Sequence, residues 1–124
     1  MANQNAKGLK RILNACVFSY YGFKATWHHE EAFRQEVQIF LVTTPIALWL
    51  GETTIEKLLL IGSMILVLLV ELLNSAVEAV VDRVGFEHHE LSGRAKDIGS
   101  AAVMLSLLWA GITWTSILIL RGIQ

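Results

Sequence analysis

Residues 58–83 read Leu-Leu-Leu-Ile-Gly-Ser-Met-Ile-Leu-Val-Leu-Leu-Val-Glu71-Leu-Leu-Asn74-Ser-Ala-Val-Glu78-Ala-Val-Val-Asp82-Arg83. An unbroken apolar or small run, Leu58 to Val70, is followed by carboxylates on what reads as the same helix. At about 100° per residue, Glu71, Asn74, Glu78 and Asp82 fall within an arc of roughly 80°, one stripe of a lipid-compatible helix. An acidic side chain deep in a membrane span costs roughly 2.5–3.5 kcal/mol on insertion scales, so such groups face protein, water or a cation. The stripe is therefore the first candidate for function.

Composition agrees with a bilayer. The chain has 124 residues, 54% of them hydrophobic, with one proline, and a mean hydropathy of +0.52. That is one domain, 1–124, with more apolar surface than a water-surrounded core needs. A net charge of −1 gives no sign of a nucleic-acid partner, and Cys16 alone forms no internal disulfide. The polar N-terminus and patterned first apolar segment do not read as a cleavable signal peptide.

Three spans are expected, as helices over 30–50, 55–84 and 92–121. Ala101 to Leu120 carries no charge in twenty residues, about 30 Å of helix and a match to the hydrocarbon core. Leu58 to Val81, about 36 Å, crosses only by carrying Glu71, Asn74 and Glu78 with it. Val37 to Leu50 is short, about 21 Å, and must extend back through Arg34 and Glu36, which are expected to reach toward the interface. Pro45 predicts a mild kink there, with Thr43 and Thr44 bonding near the freed carbonyl.

The preceding segment, 7–28, has another character. Leu9, Ile12, Leu13, Cys16, Val17, Tyr20, Phe23 and Trp27 follow i, i+3, i+4, i+7 spacing, with Lys7, Lys10, Arg11, Asn14 and Lys24 on the other side. The pattern predicts an amphipathic helix lying on the membrane, its cations at anionic headgroups. The expected architecture is all-α and integral to the membrane: a surface helix and three transmembrane helices. Eight Lys and Arg residues precede the first span or lie between the second and third, against Lys57 and Arg121 elsewhere. That bias predicts a cytoplasmic N-terminus and a cytoplasmic loop at Glu87, His88, His89 and Glu90. Ser92 is expected to cap the last helix, whose first turns bring Arg94, Lys96, Asp97 and Ser100 beside Glu78 and Asp82. Asp82 with Arg83 reads as an interfacial charge pair.

Some chemistries are excluded by motif. The chain has no G-x-x-x-x-G-K-[ST], G-x-G-x-x-G, D-F-G or G-x-S-x-G. The adjacent pairs His28–His29 and His88–His89 lack the i, i+4 spacing of a zinc site. Carboxylates with a lysine suit a hard cation, magnesium above all, which takes one or two protein carboxylates plus substrate phosphates.

The 71–83 motif, followed by His89-Glu-Leu-Ser92-Gly-Arg94-Ala-Lys96-Asp97-Ile-Gly-Ser100-Ala-Ala and preceded by Glu31-Ala-Phe33-Arg34-Gln35-Glu36, resembles the prokaryotic integral-membrane diacylglycerol kinases. The likeness runs along nearly the whole chain. It implies a homotrimer in the bacterial inner membrane that uses MgATP to phosphorylate diacylglycerol, with active sites formed between subunits. It further implies Glu71 as the general base toward the lipid hydroxyl and Glu30 with Glu78 as magnesium ligands. ATP would also meet Arg11, Glu87, His88, His89, Lys96 and Asp97, and lipid would meet Arg11, Trp27, Trp49, Glu71, Ser100 and Trp114. Asn74, between base and metal, is a supporting residue able to bond either the base or a phosphate oxygen.

Glu31 stands where the family places a small residue, and register against Phe33-Arg34-Gln35-Glu36 selects Glu30 over it as ligand. Two other readings stay open: an undecaprenol kinase of the same fold, and a proton- or cation-conducting oligomer with Glu71 and Glu78 along its path. Lys96 and Glu87 to His89 serve no purpose in conduction and count against the latter.

Overall fold

The computed structural model describes residues 6–123; residues 1–5 and Gln124 of the expected 1–124 domain lie outside the described residues. Within them the chain forms four helices, α1 (Gly8–His29), α2 (Glu31–Leu50), α3 (Thr54–Val84) and α4 (Glu90–Ile123). The long helices α3 and α4, 31 and 34 residues, extend about 46 and 51 Å. Both exceed a hydrocarbon core of about 30 Å, so their ends project beyond it.

By length and composition two helices, α3 and α4, are apolar enough to cross a membrane. The third expected span, α2, is less apolar because Glu31, Arg34 and Glu36 occupy its first six residues. Nor does Arg34 reach outward. Its guanidinium donates to the carbonyls of Trp27 at 2.7 Å and His28 at 3.2 Å, capping the otherwise unsatisfied end of α1. Glu30, extended at φ −118° and ψ 108°, is the single residue that breaks the chain between α1 and α2. Beyond it α2 continues through Pro45, and Thr44 and Thr43 donate to the Phe40 carbonyl at 2.7 and 3.3 Å. That carbonyl is one residue before the one at Leu41 that Pro45 leaves without its donor.

α3 packs between α2 and α4. Its buried face is Leu60, Ser63, Val67 and Glu71, and that of α4 is Ser106, Ala110, Thr113 and Ile117. Steps of three and four make each set one stripe, and its small residues let the backbones approach closely, as packing in lipid requires. The core proper is small: Ala47, Leu60 and Ile117, with Ile61 and Trp114 against them. Most other large apolar side chains are uncovered, among them Leu41 at 64% and Leu105 at 68%. So much bare apolar surface in one subunit calls for lipid or for other subunits. α1 buries no residue of its own and leaves Leu9, Ile12, Leu13 and Phe23 open, as a helix floating at an interface does.

The end of the bundle at the α2–α3 turn is tied by specific bonds. Thr53 and Glu56 form a reciprocal capping box at the start of α3. Arg121, near the end of α4, donates to the Leu50 carbonyl and meets Glu52 at 3.3 Å. Two turns deeper along α4, the Trp114 indole donates to the Leu60 carbonyl at 3.2 Å, which also accepts from Ser63 at 2.9 Å. Trp114→Ala, which removes packing and bond together, is expected to lower unfolding free energy by about 2–3 kcal/mol. Trp114→Phe is expected to cost about 1 kcal/mol. Denaturation in detergent micelles, followed by circular dichroism, measures both.

Candidate active site

At the opposite end from that clamp α3 turns polar. Glu71 is 5% exposed, the deepest charged residue among those described, and its Oε2 meets no hydrogen-bond partner among them. One turn on, Asn74 donates through Nδ2 to Glu78 Oε1 at 3.4 Å, while its Oδ1 is sealed from solvent without a partner. Glu71 and Glu78 are two turns apart on one face, about 10 Å along the axis, and Glu30 lies within electrostatic reach of Glu71 together with Glu78.

Glu30 and Glu78 line one groove of about 550 Å³ between α1 and α3, with Thr26, His29, Ser75 and Asp82. Glu31 is exposed and does not line it. The break at Glu30 therefore does more than separate two helices: it turns a carboxylate toward the polar stripe of α3. Among the described residues no three His, Cys, Asp or Glu side chains form a ready-made metal cage. Two carboxylates on one open groove do fit magnesium, which keeps waters and takes its other ligands from phosphate.

Asp82 carries a second role. It pairs with Lys96 Nζ at 2.8 Å and not, as the sequence suggested, with Arg83. It also lines a second groove of about 190 Å³ with Glu87, His88, His89 and Lys96. Four of the nucleotide-side residues named by resemblance, Glu87, His88, His89 and Lys96, are thus gathered at the α3–α4 turn, and Asp82 links their groove to that of Glu30 and Glu78. The expected cap at Ser92 gives way to His89, whose Nδ1 accepts from the Leu91 N–H at 3.1 Å. α4 accordingly starts at Glu90, and Glu90 pairs on the surface with Arg94 at 3.6 Å.

Not every expected residue joins the cluster. Arg11 is exposed on α1, and Asp97 and Ser100 are exposed on α4. Trp27 lines an apolar groove of about 370 Å³ between α1 and α2, with Tyr20, Phe23, Lys24, Phe33 and Val37. Trp49, 80% exposed, stands at the far end of α2. Trp114 is bonded to Leu60, about 16 Å along α3 from Glu71, so within the subunit neither Trp49 nor Trp114 reaches the carboxylates.

Glu36 was missed. The sequence points it toward the interface, yet its half-buried carboxyl group lies close enough to Glu71 for the two to interact. The available signal was its spacing: Phe33, Glu36 and Phe40 share one side of α2, and Phe33 is buried.

Comparison with known proteins bears on this geometry. A family-wide sequence model described as "Prokaryotic diacylglycerol kinase" matches residues 17–118. The protein named diacylglycerol kinase in Escherichia coli (strain K12) is 53% identical over 118 residues, covering 95% of this chain and 96% of that one. The Haemophilus influenzae protein of the same name is 50% identical over 111 residues, 90% and 94% of the two chains. One from Helicobacter pylori (strain 26695) is 40% identical over 109 residues, 88% and 85%.

A buried carboxylate with an unpartnered oxygen weakens the fold that holds it. Glu71→Leu is therefore expected to raise unfolding free energy by about 1–2 kcal/mol while abolishing activity. Denaturation in micelles beside an activity assay checks both; a destabilised Glu71→Leu protein would show that the carboxylate serves packing.

Proposed function

The chain belongs to the prokaryotic diacylglycerol kinase family, and from that premise we propose that it transfers the γ-phosphoryl group of ATP to the free hydroxyl of diacylglycerol, forming phosphatidic acid. The observation that carries the reading is identity of 53% across 95% of the chain to a protein of that name. The stripe of buried Glu71 and half-buried Asn74 and Glu78 supplies the chemistry.

Phosphoryl transfer asks for position and charge neutralisation more than covalent help. Glu71, deep in α3, accepts the hydroxyl proton on its free oxygen. As that proton leaves, the lipid oxygen bonds the γ-phosphorus, the bond to the β–γ bridging oxygen breaks, and ADP departs. Glu30 and Glu78 would hold magnesium, which when bound would supply positive charge against the phosphates of ATP. Lys96, steered by Asp82, adds the cation that a phosphate-binding loop provides elsewhere, and Glu87, His88 and His89 border the nucleotide. Asn74 keeps Glu78 oriented.

The same reading includes α2 as a third span, its 20 residues being about 30 Å of helix and sufficient to cross. It also includes a bacterial inner-membrane location with the polar end cytoplasmic, as the distribution of Lys and Arg favours. We propose a homotrimer, in which a neighbouring subunit covers the open apolar faces and brings Arg11, Asp97 or the lipid-side tryptophans to a site that one subunit leaves incomplete.

The test is MgATP-dependent phosphorylation of diacylglycerol and, in parallel, undecaprenol by purified protein in mixed micelles. Phosphatidic acid is expected as the faster product. Glu71→Gln is expected to lower kcat by about 10²–10⁴-fold, the usual contribution of a general base. Faster transfer to undecaprenol would change the substrate, and ATP-independent ion flux in liposomes with no ATP consumed would replace the kinase by a conducting oligomer.

A further inference from the structure

Lys96, Gly99, Val103, Ser106 and Ala110 succeed one another on α4 at steps of three and four, so they share a side. Lys96 reaches Asp82 of α3, and Ser106 and Ala110 are buried, which makes this the side facing α3. Gly99 occupies the level of Asn74. A Cβ built on Gly99 would overlap Asn74 Oδ1 and stand 3.1 Å from Asn74 Cγ and 3.9 Å from its Cβ. The other glycines of α4, Gly93, Gly111 and Gly122, meet nothing within 4 Å of such a Cβ. Among the described glycines of α4, Gly99 is the one whose missing side chain leaves room for a neighbour's.

That neighbour is the one polar group bonded to Glu78. Nδ2 of Asn74 donates to Glu78 Oε1 at 3.4 Å, and the opposite edge of the amide, Oδ1, is buried and unpartnered. With a bare backbone at Gly99 the amide lies against α4, its oxygen toward Gly99 and its nitrogen toward the carboxylate. An amide presents its donor to one side only when its acceptor side is accommodated.

We infer that Gly99 is a positioning residue for the phosphoryl transfer: its missing side chain gives the Asn74 amide the space in which it orients Glu78. The inference rests on the proposed role of Glu78 toward the metal. A methyl group at position 99 acts on the far end of the Asn74 side chain, the most mobile thing it meets, and swings it off Glu78. The helix itself gains, because alanine is a better helix former than glycine. A residue that serves packing alone has no such divided effect.

The experiment uses full-length Gly99→Ala, Asn74→Ala, the double variant and Glu78→Gln in micelles. Mn²⁺ binding beside a non-hydrolysable ATP analogue is read by electron paramagnetic resonance, and thermal unfolding is recorded alongside. Gly99→Ala and Asn74→Ala are each expected to weaken Mn²⁺ binding by about tenfold, the effect of losing a group that orients a ligand. The double variant is expected to lose no more than either. Undiminished Mn²⁺ binding in Gly99→Ala, or a double variant that loses the product of the two factors, overturns the inference. If Gly99→Ala folds poorly, the double variant restores the unfolding midpoint when Asn74 is the displaced group; no restoration overturns the inference as well. Glu78→Gln separates the two levels: full Mn²⁺ binding there overturns the metal role of Glu78 and this inference with it, whereas loss there beside an unaffected Gly99→Ala overturns the inference alone.

Discussion

A carboxylate on a helix apolar enough to cross a membrane must be faced by something other than lipid, and that requirement organises the packing of α3. α3 carries Glu71 on the same stripe as Leu60, Ser63 and Val67, so the face that packs is also the face that bears charge. Helices in lipid gain little from apolar contact with each other, and close approach must come from small residues. Ser63 on α3 and Ser106 and Ala110 on α4 meet that need. Gly99 continues the same side of α4 to the level at which α3 turns polar, so the polar cluster is built on the helix contact and not beside it.

The two ends of this contact differ in how their polar groups are satisfied. At the Arg121 end, the Leu50 carbonyl, the Leu60 carbonyl and the first turn of α3 all receive specific donors. Among the described residues, buried polar side-chain atoms without a partner are Glu36 Oε2, Glu71 Oε2, Asn74 Oδ1, Ser75 Oγ and Thr113 Oγ1. All except Thr113 stand at or next to the carboxylate stripe. Native folds rarely leave such atoms unpaired, and where they cluster the deficit points to function. A tied end and an unsatisfied end give one rigid contact from which the reacting groups are presented.

The four-helix order and the stripe were legible because they depend on local pattern. Thirteen apolar positions before Glu71 and the 3.6-residue recurrence of Glu71, Asn74, Glu78 and Asp82 need no tertiary information. What was not legible depends on which neighbour a side chain meets. Antiparallel packing already puts Lys96 near Glu78 and Asp82, and Lys96 does pair with Asp82; what the sequence hides is that Arg83, one residue on, points about 100° away from Asp82. Arg34 and Glu36 look alike as charges near a span's end. One caps α1 and the other turns in to Glu71, because they are two residues apart and emerge on opposite sides of α2. The start of α4 slipped for a similar reason: Ser92 is the stronger N-cap by preference, yet the His89 imidazole is already in place to accept from Leu91.

The tryptophans expected on the lipid side mark the boundary of what a single chain explains. Trp27 borders an apolar groove next to the site, whereas Trp49 is bare and Trp114 is committed to Leu60. On the proposed function, a diacylglycerol lying along the membrane normal would place its hydroxyl at the level of Glu71 and its acyl carbons at the level of the apolar residues before it. The run from Leu58 to Val70 carries no charged residue, so on the proposed function Glu71 is the first carboxylate that a lipid hydroxyl would meet beyond it on that face of α3.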